Sequence, residues 1–105
     1  MPDDDDALAL KRAIQLGVQP SQLTNVEFIV DVLNRADRDL ALSRLVERGY
    51  ECDVWEDPVD QSLSIYAARP IYPTLEAIRG ERAAIKQILA GLSVAVEDWG
   101  IPISP

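Results

Sequence analysis

No histidine occurs in these 105 residues, there is a single cysteine, and no apolar run approaches the ~20 residues that span a bilayer. Each absence excludes something. Without histidine the chain lacks the commonest general base, the serine and cysteine triads that depend on it, and most catalytic zinc sites. A lone cysteine cannot form an intrachain disulfide, whereas small secreted domains are usually stapled by several. Met1 and Pro2 followed by Asp3 to Asp6 reverse the basic-then-apolar start of a signal peptide, so the expected compartment is the cytoplasm. Positive charge is scarce as well: ten Lys and Arg against eighteen Asp and Glu leave a net charge of −8. Broad attachment to nucleic-acid phosphates rests on surplus cations and is not expected. What remains, 48% hydrophobic residues in a chain of single-domain length, is enough to build one modest core.

The aspartate run reads as a helix start, with Asp6 as its cap and the other acids near the positive end of the helix dipole. Leu10, Ala13 and Ile14 recur at helical spacing, Gly17 ends the helix, and residues 18–25 form a linker rich in turn-forming side chains. Residues 1–25 are therefore expected as an acidic tail, helix and linker, and residues 26–105 as the main domain.

From Val26 to Leu33 the chain alternates, with Val26, Phe28, Val30 and Val32 on one face and Glu27, Ile29, Asp31 and Leu33 on the other. This is a strand. Asn34 then caps a helix with Asp37 in its first turn and a stripe of Leu42, Leu45 and Val46, stopped by Gly49. Residues 50–56 and 62–69 alternate again around a turn of Asp57, Pro58, Val59, Asp60 and Gln61, which predicts a hairpin. Thr74 caps the longest helix, whose stripe is Leu75, Ile78, Ile85, Ile88, Leu89 and Leu92, with Gly80 as a local weakness. A last strand carries Val94 and Val96.

Strand, helix, strand, strand, helix, strand predicts an α+β fold: a ferredoxin-like βαββαβ unit with a four-stranded antiparallel sheet, two helices on one face and an added N-terminal helix. The other sheet face is then open. It would carry Glu27, Ile29, Asp31, Leu33, Glu51, Asp53, Trp55, Ser64, Tyr66, Ala95, Glu97 and Trp99, a mixture of acids and aromatics that suits a contact surface, with the N-terminal helix as a partial cover.

The candidate partner-binding residues are Glu51, Asp53, Trp55, Glu56, Asp57, Asp60, Glu97, Asp98 and Trp99. The acids among them carry no basic residue to offset them, so they read either as a solvated strand edge that prevents sheet-to-sheet pairing or as a dock for a basic partner. A metal site is not expected, because the 51–60 segment lacks the spaced acids, central glycine and terminal glutamate of a calcium loop. Catalysis is not expected either: Glu97 and Asp98 are consecutive on a strand and point to opposite faces, and Cys52 sits between Tyr50 and Val54 on the apolar face with no histidine to activate it. RNA-recognition modules share this element order, but their third strand is led by basic and aromatic residues, and here it reads SLSIYAAR.

An N-terminal helix ending at Gly17, a linker with Pro20, the strand VEFIVDVL, the turn Glu47, Arg48, Gly49, Tyr50 and the ending VEDWG resemble the RraB family, regulators of ribonuclease E activity, from about residue 8 to residue 101. Gly49 to Cys52 approximate the family's G-[FY]-x-V segment. Val96 to Trp99 approximate its [YF]-D-G-W signature, with Asp98 where the family has glycine and Glu97 where it has aspartate. The resemblance implies a non-enzymatic protein, without cofactor, that binds a ribonuclease and lowers its activity. The expected partner has a basic surface. The alternative is a dimeric small-ligand-binding regulatory domain of the ACT type, which calls for a glycine-rich loop after the first strand; Asn34, Arg35, Ala36 and Asp37 contain no glycine.

Overall fold

Alternation and punctuation place each element close to where the sequence predicts it. A computed structural model describes residues 5–102, apart from the Glu97 side chain, so Asp3 and Asp4 of the aspartate run lie outside the described residues. In chain order the elements are α1 (Asp5–Gln15), β1 (Thr24–Val32), a 3₁₀ turn (Arg35–Asp37), α2 (Arg38–Glu47), β2 (Glu51–Glu56), β3 (Leu63–Ile71), α3 (Leu75–Ile88) and β4 (Val94–Gly100). The fold is α+β, with three helices and an open antiparallel sheet whose strands run in the order β2-β3-β1-β4.

The alternate residues Val26, Phe28, Val30 and Val32 of β1 and Leu63, Ile65 and Ala67 of β3 point to one face, where they meet Ala41 and Leu45 of α2, Ile78, Ile85 and Leu89 of α3, and Leu10 of α1. Removing the largest of these, as in Phe28→Ala, would cost about 3–5 kcal/mol through lost burial and the cavity left behind.

Local chemistry explains the boundaries. The Asn34 side chain accepts from Ala36 N at 3.0 Å, so it caps the single 3₁₀ turn, and α2 proper begins after Asp37. Asp37 instead reaches across to accept from Ser93 N at 2.8 Å. The Thr74 hydroxyl accepts from Ala77 N at 3.1 Å and starts α3 as the sequence predicts. Gly17 and Gly49 end α1 and α2 at φ of 109° and 92°, a left-handed conformation that glycine adopts without steric penalty. Arg44 of α2 donates to the Ile88 and Ala90 carbonyls, both at 3.1 Å, and so fastens α2 to the end of α3.

Four sequence-based expectations need correction. Ile14 and Val46 are exposed, because Leu10 with Ala13 and Ala41 with Leu45 take the inward positions of their helices. Asp6 does not cap α1; its carboxylate lies in the first turn and grips Arg82 of α3. The N-terminal helix does not roof the open sheet face, since Leu10 joins the core and Asp6 bonds to α3, both on the helical side. Trp99 is on the covered face and buried, because β4 carries a bulge: Ile29 is opposite Asp98 while Val30 is opposite Val96. One extra residue, Glu97, shifts the alternation by one and turns the last part of the strand over.

A candidate docking face

With all three helices on one side, the other face of the sheet is left to solvent, and the strand register sets its pattern. Three rows cross it: Glu51, Ala68, Glu27 and Gly100; then Asp53, Tyr66, Ile29 and Asp98; then Trp55, Ser64, Asp31 and Ala95. Neighbouring strands lie about 4.8 Å apart and same-face residues along a strand about 7 Å apart, so the carboxylates form a grid rather than one tight cluster.

Five carboxylates, those of Glu27, Asp31, Glu51, Asp53 and Asp98, are described on this grid, and no lysine or arginine of the strands shares the face with them, although Arg82 of α3 lies near enough to Asp98 to interact with it electrostatically. Arg69 is the single lysine or arginine in β1 to β4, and it turns to the covered face, where it bonds to Glu81. The remaining cations lie on or beside the helices or, like Arg35, at the loop end of the sheet. The molecule is thus polarised, with an acidic sheet face behind a helical layer that carries the arginines. Trp55, 49% exposed, and the half-buried Tyr66 add aromatic surface to the acidic grid. Carboxylates with aromatic faces suit lysine and arginine, which take ion pairs from the first and cation–π contacts from the second. The Ser64 hydroxyl donates to Asp31 at 3.0 Å and fixes one carboxylate within the grid.

The predicted site residues divide. Glu51, Asp53, Trp55 and Asp98 share the open face. Glu56 has the opposite strand parity, at the sheet edge, and pairs with Arg35 at 2.8 Å. Asp57 and Asp60 hold the hairpin: Asp57 Oδ1 accepts from Val59 N at 2.8 Å and Asp60 Oδ1 from Ser62 N at 2.8 Å. The Ser62 backbone N–H first, and then its hydroxyl, hold the Asp60 carboxyl below its ordinary range. The Glu97 side chain is outside the described residues, and Trp99 belongs to the core.

Two polar networks on the helical side escape sequence reasoning. Glu81 is buried within the apolar stripe of α3, between Ile78 and Ile85, and accepts from the Tyr50 hydroxyl and from Arg69 Nε at 2.6 Å, while the Arg69 guanidinium sits 4.9 Å from the Tyr50 ring centroid. Burial first, and then the Glu81 carboxylate, push the Tyr50 phenol well above its ordinary value. Asp6 accepts from both terminal nitrogens of Arg82, at 2.7 and 2.5 Å, and from the Trp99 indole at 2.9 Å. A charged residue at a core position of the helix stripe is the one signal that could have found Glu81, and it does not name its partners. Cys52 is half-buried, and burial raises its thiol above the ordinary value, as suits a packing residue.

Among the described residues no three of His, Cys, Asp and Glu are grouped to hold a metal ion, and no helix is long and apolar enough to cross a membrane. A shallow depression of about 400 Å³ lies between the end of α3 and β4, lined by Leu89, Leu92, Val94 and Val96, with Lys86 its one charged side chain. It lacks the convergent polar groups that orient a small ligand.

No curated protein matches the chain. The family described as regulator of ribonuclease activity B matches residues 3–101, nearly the whole chain: this protein belongs to the RraB family.

Proposed function

We propose that the chain is a non-enzymatic cytoplasmic regulator that docks a basic surface of a ribonuclease, of the ribonuclease E type, on the open face of its sheet and thereby slows RNA cleavage. We also read the strand order β2-β3-β1-β4 as the ferredoxin-like split arrangement, which leaves that face free by construction. The observation that carries the proposal is the grid of five carboxylates with no cation among them. Opposed fields speed encounter with a basic surface and disfavour partners of the same sign. Family membership supports a ribonuclease as the partner.

The test is cleavage of a defined RNA by purified ribonuclease E, with and without this protein, at low and raised ionic strength. Slowing is expected at low salt, weakening as salt screens the charges, and it should be lost in the Asp53→Lys, Asp98→Lys double variant. Unchanged cleavage, or slowing indifferent to both salt and the double variant, overturns the proposal.

A further inference from the structure

Among the described residues the sheet also has two open edges, and they differ. At β4 the bulge at Glu97 breaks the ladder direction, a device that blunts an edge against further pairing. At β2 the register to β3 runs unbroken from Glu51 to Glu56, without proline or bulge.

The hydrogen-bond phase of β2 follows from the hairpin. Asp57 N donates to Ser62 O at 2.9 Å, so that pair is bonded, and antiparallel ladders alternate. Trp55, Asp53 and Glu51 therefore bond inward to β3, while the N–H and C=O groups of Cys52, Val54 and Glu56 point outward. Leu33 N donating to Ser93 O at 2.9 Å gives the same phase on the far side of β1.

We infer that β2 accepts an extended segment of a basic partner as an added strand, bonded through the outward backbone groups of Cys52, Val54 and Glu56. The inference rests on the docking face proposed above and states how that face is read. Side chains of an added strand that fall on the open face lie beside Glu51, Asp53 and Trp55 and are met by lysine or arginine; those on the other face lie beside Cys52, Val54 and Glu56, whose carboxylate is already paired with Arg35, and are met by aliphatic groups. Alternate basic and aliphatic residues are therefore the matching chemistry. A second copy of this chain is disfavoured as occupant, because β2 carries three acids and no cation, so pairing it with itself brings like charges together.

The probe is an eight-residue peptide of alternating arginine and valine, compared with the same peptide N-methylated at every second residue so that one edge cannot donate, and with a peptide of equal composition in which arginines and valines are segregated. Amide exchange followed by NMR should slow at Cys52, Val54 and Glu56 on binding the alternating peptide, and both altered peptides should bind at least tenfold more weakly. Val54→Pro removes an outward donor and leaves the β3 ladder intact, so it should also weaken binding tenfold while the spectrum remains folded. Equal binding of the N-methylated peptide, or protection at those amides without any peptide through self-association, overturns strand addition. If the N-methylated peptide binds equally but Asp53→Lys abolishes binding, the acidic face stands and only the edge mode falls.

Discussion

The indole Nε1 of Trp99 donates to Oδ1 of Asp6 at 2.9 Å, joining the first turn of α1 to the last strand across 93 positions of sequence. Arg82 grips the same carboxylate, and Arg79 stands 3.8 Å from it, so one acidic side chain locks α1 against α3 and β4. This lock keeps the N-terminal helix on the helical side and leaves the acidic sheet face bare.

Asp6→Asn should therefore cost about 2 kcal/mol, the scale of a charge-assisted hydrogen bond in a partly buried setting. The Arg82 guanidinium holds the Asp6 carboxyl below its ordinary value. A carboxyl depressed in the folded state stabilises the fold above its unfolded value, near ~3.9, and loses that contribution as pH falls through the folded value. Urea titrations should show the stability gap between wild type and Asp6→Asn constant from neutral pH down to about 5 and closing below about 4. Trp99 emission should shift red as the helix loosens.

Glu81→Ala should be more damaging, at about 2–3 kcal/mol, because it leaves the buried Tyr50 hydroxyl and the part-exposed Arg69 guanidinium without the carboxylate that binds both. Denaturant midpoints check the size. Replacing Glu81 and Arg69 together by leucines should recover much of the loss, since a half-buried ion pair need not outperform apolar packing.

Gly80→Ala should stabilise by about 0.5–1 kcal/mol. Gly80 lies inside α3 with an ordinary helical φ, and a Cβ there meets nothing within 4 Å. The melting temperature should rise by roughly 4–8 °C per kcal/mol in a domain of this size.

The hairpin acids separate loop geometry from docking. Asp57→Asn retains the side-chain oxygen that Val59 N needs and should leave stability within about 0.5 kcal/mol, whereas Asp57→Ala should cost about 1 kcal/mol. Neither should alter the proposed slowing of RNA cleavage as strongly as Asp53→Lys, which changes the open face itself. Parallel thermal melts and cleavage assays on the three variants decide the matter.

Much of this was written locally in the chain. Period-two alternation from Val26 to Val32 and the helical stripe from Ile78 to Leu89 depend only on which face of each element must leave water, and caps such as Thr74 and glycines such as Gly49 act within a few residues, so the elements and most of the core follow from neighbours in sequence. The surplus of acids and the absence of histidine bounded the chemistry in the same way. Tertiary pairing decided the rest. Whether Glu97 is an extra residue depends on what stands opposite it in β1, and that single step moved Trp99 from the open face into the core. Asp6 could cap its own helix or bind an arginine 76 positions away, and only the packing of α1 on α3 chose the arginine. Glu81 found Tyr50 and Arg69 because the fold brought two other elements to the stripe it interrupts. Composition set how acidic the protein is; register and helix placement decided that five of those acids share one face with no cation among them, because only a folded sheet puts alternate residues of distant strands side by side.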